Sequence, residues 1–427
     1  MAAAVVKLAD LAERWQKDLV GNVLPFWLKH SLDTEQGGYF TCLDRDGSLL
    51  ADDKYHWLQG RELWTFARVY NWAGMLKASE EQREEWWQAA CTGARFLDKA
   101  LVPDSDEGLL YFSTTRDGHG LHFQRKPFTA VFYILGCLEF AAAVRGRKAA
   151  GLDAGDFSEA DLTTKGSEMF ERFRKWIDDP AAFGRVPPPP GAKLASSLAQ
   201  VMCLAGLAEE FIDTVPHCKA AFMPFVEDAM RRVKLHYDTD RKIFMEVADP
   251  EKGVHHETMA SRLFNPGHSI EVSWFLLHLC DLKPDAEVEA MALDALGGAL
   301  DIGWDEAVEG KGLLYMMDIL GKPLLDTTVT ATNKLWWPHC EALYACTLAY
   351  ERTGDVKWQE WLLKVNSFCY TYLCDEKNGG EWLGYLNRDA SPFNLCKGGN
   401  YKGCYHVPRA LLFSIKSARR AADKGQK

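Results

Sequence analysis

The sequence predicts an all-α fold, an (α/α)6 barrel of six inner and six outer helices with short β-hairpins at one end, built as one domain over residues 1–427. Three observations predict it. Apolar stretches at helical spacing recur about every 69 residues, amphipathic segments alternate with them, and short strand-like runs closed by turn residues keep the same interval.

The apolar stretches begin near Gly60, Ala130, Leu198, His268, His339 and His406, at intervals of 70, 68, 70, 71 and 67 residues. They are apolar nearly all round, as helices buried on every side must be. Between them residues 80–97, 167–176, 222–235 and 356–372 carry charge along one face and read as outer helices. The strand-like runs are residues 37–40, 108–112, 243–246, 312–316 and 380–385, each followed by Asp-Gly, Asp-Pro, Gly-Lys-Pro or Arg-Asp chemistry suited to a hairpin turn. A sixth is due near residue 180, where Gly184-Arg185-Val186 runs into Pro187 to Pro190, so an altered loop is expected there. Residues 144–165, rich in Gly, Ala and Asp, read as a long, loose connection. An open solenoid would need polar capping repeats, and the last repeat instead holds Trp382, Tyr385 and Tyr405.

Composition bounds the function. With 47% hydrophobic and 26% charged residues the chain is neither disordered nor fibrous. A net charge of −11 with no Lys/Arg run argues against nucleic acid as a partner. The 12 Cys include no C-x-x-C pair, and the N-terminus meets Lys7 before any secretory apolar core, so a reduced, cytoplasmic setting is expected. The apolar run 129–138 meets Glu139 and is too short to span a bilayer, so no membrane association is expected.

The chemistry gathers at the inner-helix starts. Asn265-Pro266-Gly267-His268 leads to Glu271, Trp336-Trp337-Pro338-His339 to Glu341, and Cys404-Tyr405-His406 to Val407-Pro408-Arg409. Pro favours the first helical turn, so all three His residues fall at helix N-termini, which a toroid of parallel inner helices collects at one end. His268 with Glu271, and His406 with Arg409, share faces at a spacing of three. The first repeat places Trp57-Leu58-Gln59-Gly60-Arg61 at the equivalent point and contributes a cation. Helix dipoles favour a neutral imidazole, which near neutral pH takes or gives a proton at little cost, and the same dipoles with Arg61 and Arg409 would stabilise an anion. Glu271 or Glu341 would fix a His tautomer. Two imidazoles, cations and no nucleophile constellation suit proton abstraction beside a carbonyl.

The same residues admit other readings. His268, His339 and His406 have no metal-ligand spacing, so no metal is expected. His255-His256-Glu257 reads as a polar loop, Cys404 as a packed thiol rather than a nucleophile, and residues 398–403 lack a P-loop pattern. Trp336 and Trp337 fit a sugar face or the core equally well.

The motifs Tyr55-His56-Trp57-Leu58-Gln59-Gly60-Arg61, Asn265-Pro266-Gly267-His268-x-x-Glu271, Lys334-Leu335-Trp336-Trp337-Pro338-His339-x-Glu341 and Tyr401-Lys402-Gly403-Cys404-Tyr405-His406-Val407-Pro408-Arg409 closely resemble the N-acylglucosamine 2-epimerase (renin-binding protein) family. The likeness runs from about Leu11 to Ala418. It implies the (α/α)6 barrel, interconversion of N-acetyl-D-glucosamine and N-acetyl-D-mannosamine, a homodimer, no consumed cofactor, ATP or another nucleotide as an activator, and a renin-type protease as a partner. It also implies catalysis by His268 and His406, with Arg61, Glu271, Glu341 and Arg409 in support. The remaining candidates for substrate contact are His339, Trp337, Trp57, Gln59 and Asn265. Aldose–ketose isomerase and cellobiose 2-epimerase relatives carry a further His on the third inner helix, where this chain reads Leu194-Ala195-Ser196-Ser197-Leu198-Ala199-Gln200, closer to the acyl-aminosugar branch. An aldose–ketose isomerase or other aldose 2-epimerase, a glycoside hydrolase using Glu271 and Glu341, and a non-catalytic binding protein are the alternatives.

Overall fold

The computed structural model describes residues 7–103, 108–123, 126–179, 195–307, 309–322 and 331–425. Six helices form an inner ring: α3 (His56–Asn71), α5 (Phe128–Ala149), α7 (Leu198–Thr214), α9 (Pro266–Leu282), α11 (Trp336–Thr353) and α13 (His406–Asp423). Each packs against the next, and α13 returns to α3. Outside them lie α4 (Glu80–Leu97), α6 (Glu159–Asp178), α8 (Lys219–Lys234), α10 (Ala286–Gly303) and α12 (Val356–Phe368). The sixth outer position, against α13, is filled from the other end of the chain by α1 (Leu8–Asp18), which runs through a π-turn into α2 (Leu24–His30).

That exchange closes the ring. Trp15 Nε1 donates to Asn366 Oδ1 at 2.9 Å, Trp382 Nε1 to Asp18 Oδ2 at 3.0 Å and Trp27 Nε1 to Glu381 Oε2 at 2.5 Å. Buried indole N–H groups need partners, so these bonds specify the closure as well as filling the core. The helix pair α3–α5 approaches so closely at Gly60 that a Cβ there would overlap the Phe132 carbonyl, which is why the first repeat carries glycine at this point.

The expected turns are present; Ile243–Phe244 and Tyr385 are paired within the runs that sequence suggested, while in the other hairpins the paired strands sit beyond them. Cys42–Leu43 pairs with Leu49–Ala51 across residues 44–47, and Ser113–Thr114 with Gly120–His122 across residues 116–118. The runs themselves bridge back to the preceding outer layer, Leu110 to Leu101, Leu313 to Trp304 and Trp382 to Cys374. The next two residues of a hairpin then pair with the two that precede an inner helix. Lys54–Tyr55 joins Ser113–Thr114 ahead of α3, Leu263–Phe264 joins Met317–Asp318 ahead of α9, and Lys334–Leu335 joins Tyr385–Leu386 ahead of α11. Every such pairing clamps the start of an inner helix to its neighbour's hairpin, so the N-termini collect at one end.

Two expectations need correction. Residues 144–165 are mostly helical; only residues 150–158 connect α5 to α6, and Arg147 of α5 donates to the Asp153 carbonyl across that link. Helix α5 is also longer than the apolar run suggested. It is long and apolar enough by composition to cross a membrane, yet 78% of its apolar window is buried inside the ring, as an inner helix requires. The altered hairpin expected at 184–190 lies outside the described residues.

Candidate active site

Helix α9 begins with Asn265 as N-cap, whose Oδ1 accepts from the His268 backbone N–H at 3.2 Å, and with Pro266 in its first turn. This sets His268 on the axial side of the ring, half-buried, with its ring centroid 5.0 Å from that of Trp337. His406, the first residue of α13, lies 5.9 Å from the same indole. The two imidazoles therefore share one aromatic neighbour although they come from different repeats.

Each imidazole is held through Nδ1 by a carboxylate. His268 Nδ1 donates to Glu246 Oε1 at 2.8 Å and His406 Nδ1 to Glu341 Oε1 at 2.7 Å. Among the described residues Nε2 of each ring has no protein partner and is left for a ligand. Glu341 Oε1 also takes Arg409 Nη2 at 2.7 Å, Glu341 Oε2 takes Trp274 Nε1 at 2.9 Å, and Arg409 Nη2 reaches Glu271 Oε1 at 2.5 Å. Arg61 lies over the rings of Trp57, Phe132 and Tyr405 at 4.8, 4.0 and 5.0 Å, with no carboxylate in ion-pair reach among the described residues. Burial lowers its pKa to about 10, which leaves it cationic and available to an anion.

The surroundings bias the imidazoles in opposite directions. Burial opposes the charged form of His268, but the Glu246 carboxylate and its hydrogen bond, with Glu271 and Glu341 behind them, raise its pKa above the ordinary imidazole value. Burial together with Arg61 and Arg409 pushes His406 well below that value. Of the two rings, His268 is therefore the one favoured to carry a proton and His406 the one favoured to stay neutral.

The family model for N-acylglucosamine 2-epimerase matches residues 38–410. The chain belongs to that family. It is 34% identical to the N-acylglucosamine 2-epimerase of Bos taurus over 91% of this chain and 87% of that protein, and 31% identical to that of Homo sapiens over 95% and 90%. It is 24% identical to the cellobiose 2-epimerase of Ruminococcus albus over 93% of this chain and 96% of that one. Among solved structures, a sugar epimerase from a ruminal bacterium superposes with a TM-score of 0.75 at 19% identity, covering 95% of this chain and 98% of that one, and a D-mannose isomerase with 0.74 at 17% over 97% and 100%. At those identities the structures establish the fold, the (α/α)6 barrel.

The structure brings His268, His406, Glu271, Glu341, Arg409 and Trp337 together, with Arg61 and Trp57 at the edge of the group. Two candidates take structural positions instead. His339 is fully buried, its Nδ1 donates to the Leu335 carbonyl at 2.6 Å and its Nε2 accepts from the Leu313 N–H at 2.9 Å, and burial lowers its pKa to about 3. Gln59 spends its amide on both backbone groups of Tyr39, at 2.7 and 2.8 Å. Asn265 acts through its cap. Of the two tryptophans, Trp336 belongs to the core, and Cys404 is a buried thiol whose pKa burial drives well up.

Neither Glu271 nor Glu341 orients a His of its own helix. Glu341 reaches across to His406, and Glu271 holds Arg409. Glu246 was missed, although the lone acid after Ile243-Phe244-Met245 was a visible signal. Side-chain atoms of Glu271, Glu341 and His406 lie within 4.8 Å of one another, a metal-like trio. The Arg409 guanidinium already bonds both carboxylates and lies 3.5 Å from His406 Nδ1, so a resident cation occupies that charge and the donors do not fit a metal.

Proposed function

We propose that this protein interconverts N-acetyl-D-glucosamine and N-acetyl-D-mannosamine by moving a proton at C2. The observation that carries the reading is the pair of carboxylate-anchored imidazoles from helices α9 and α13, whose rings lie 5.0 and 5.9 Å from that of Trp337. The family's named members act on this class of sugar, and the site has the parts the reaction requires.

With the sugar open, its C1 aldehyde acidifies the C2 hydrogen. A neutral imidazole Nε2 takes that proton, the C2–H electron pair moves into the C1–C2 bond, and negative charge collects on O1. Arg61 and the helix N-termini supply the positive potential that stabilises it. The other imidazole delivers its Nε2 proton to the opposite face of C2, which inverts the centre. The pair ends with its proton on the ring that began neutral, so the reverse reaction uses the same groups with their roles exchanged. One shared proton serves both directions.

Burial and the arginines favour neutral His406, which suits the base, and the Glu246 carboxylate favours the proton on His268, which suits the acid. A glycoside hydrolase reading assigns Glu271 and Glu341 to cleavage, yet Arg409 binds both and leaves neither free to act as an acid. The expected homodimer, nucleotide activation, renin-type partner and cytoplasmic setting rest on the family resemblance and on composition.

Proton NMR of the purified protein with N-acetyl-D-mannosamine tests the proposal. Anomeric signals of N-acetyl-D-glucosamine should grow to a fixed ratio, and the same ratio should be reached from the other epimer. A substrate spectrum that stays unchanged, or conversion only of unacylated mannose or glucose, would overturn it.

A further inference from the structure

Glu246 lies in the hairpin between α8 and α9, and its backbone is tied on both sides. Its carbonyl accepts from Leu198 N, the first residue of α7, at 3.0 Å, and its N–H donates to the Leu263 carbonyl, just before α9, at 3.3 Å. The side chain is 13% exposed. A carboxylate pinned between two inner-helix starts has little freedom, so its bond to His268 is a built contact rather than a chance surface pair.

Glu246 and Glu341 make the same bond to the two imidazoles, but they are not equivalent. Glu341 shares the oxygen that binds His406 with Arg409, so its charge is divided between an imidazole and a guanidinium. Glu246 has no Lys or Arg in ion-pair reach among the described residues, so its charge falls on His268. The groups facing His268 are Glu246 from the hairpin, Glu271 from its own helix, Glu341 from α11 and His406 from α13; His236 and Tyr315 stand nearer Glu246.

We infer that Glu246 is a positioning residue for the proton transfer, holding His268 as the Nδ1–H tautomer with Nε2 toward the sugar and keeping the resting proton of the pair on that ring. The inference rests on the proposed proton transfer at C2 and adds the residue that makes the two imidazoles unequal. Without the Glu246 charge, burial opposes the proton on His268 with less to offset it, and the turnover that begins with His406 as base is deprived of its proton donor.

The test is Glu246→Gln, which keeps the shape and removes the charge, with Glu246→Ala beside it. In the full-length protein without sugar, histidine ring NMR should show the titration of His268 moving down by about one pH unit or more while that of His406 stays in place. The value of kcat should fall about 10²–10⁴-fold with KM little changed, since loss of a tautomer-fixing carboxylate acts on the transfer step. Adding Glu246→Gln to a His268→Gln protein should change the residual rate less than about twofold, because a residue that works only through His268 has nothing left to position. An unmoved His268 titration in Glu246→Gln, or equal further losses in the His268→Gln background, would overturn the inference. The titration needs no substrate, so it can fail while the epimerase reading stands, and inactivity of the wild-type protein toward both epimers would remove the reading while leaving the pairing measurable.

Discussion

Replacing Glu341 by Gln tests how the site is wired. Glu341 is 1% exposed and accepts three hydrogen bonds, from His406 Nδ1 at 2.7 Å, Arg409 Nη2 at 2.7 Å and Trp274 Nε1 at 2.9 Å. Gln matches its volume but carries only one oxygen, so its amide N–H₂ must face one of three donors. Glu271 still neutralises Arg409, which keeps the stability loss near the cost of unsatisfied buried groups, about 1–3 kcal/mol, rather than the larger cost of an orphaned buried charge. The effect on turnover should be larger. Losing the carboxylate does not make His406 charged, since removing an anion lowers an imidazole pKa further; the base stays neutral but loses its fixed tautomer and the partner of its imidazolium. A tautomer error of this kind costs about 10²–10⁴ in kcat. The assay is the initial rate of epimer formation by NMR at saturating sugar, with denaturant unfolding of the same preparation. A kcat within about threefold of wild type in a folded Glu341→Gln protein would refute the assignment of Glu341 to His406, being below the smallest effect expected of a general acid–base group.

Other predictions follow from the same geometry. The pH profile of kcat/KM should be a broad bell. Its alkaline limb should lie above the ordinary imidazole value, where His268 loses the working proton, and its acid limb well below that value, where His406 takes up a second; a narrow optimum set by one unperturbed imidazole would contradict it. Asp33→Asn should destabilise by about 3–5 kcal/mol in denaturant unfolding, because Lys54 and Asp33 are fully buried 2.8 Å apart and the lysine would be left unpaired. Burial alone would raise the Asp33 pKa, but Arg116 and Lys54 hold it well below the carboxylate range, so its contribution is present above the unfolded value and lost as pH falls through the folded one. Gly60→Ala should cost about 1–3 kcal/mol through the clash with Phe132, measured the same way.

Much of this was legible in the chain. Inner helices buried on all sides leave an apolar signal that recurs at the repeat length, so their number and starts could be read directly. The hairpins were read in the right places, but apart from Ile243–Phe244 their strands lie wholly or partly beyond the expected runs, because strands of two residues are too short to show alternation. The equivalence of the three His residues misled. His406 and His268 keep Nε2 without a protein partner among the described residues, whereas His339 stacks on the Phe368 ring at 4.2 Å and spends both ring nitrogens on the Leu335 carbonyl and the Leu313 N–H, contacts that the repeat position does not reveal. The partners of the imidazoles were hidden for a related reason. Glu246 and Glu341 act across repeats, over 22 and 65 residues of sequence, and helix-face spacing detects only neighbours within one helix.

Deuterium exchange at C2 tests the two-sided proton transfer most directly. His268→Ala and His406→Ala proteins, each incubated in D₂O with either pure epimer, should fail to interconvert the sugars at an appreciable rate. Each should still wash deuterium into C2 of one epimer, and the two variants should choose opposite epimers. Exchange of both epimers by a single variant, or of the same epimer by both, would contradict a mechanism with one imidazole on each face of the carbon.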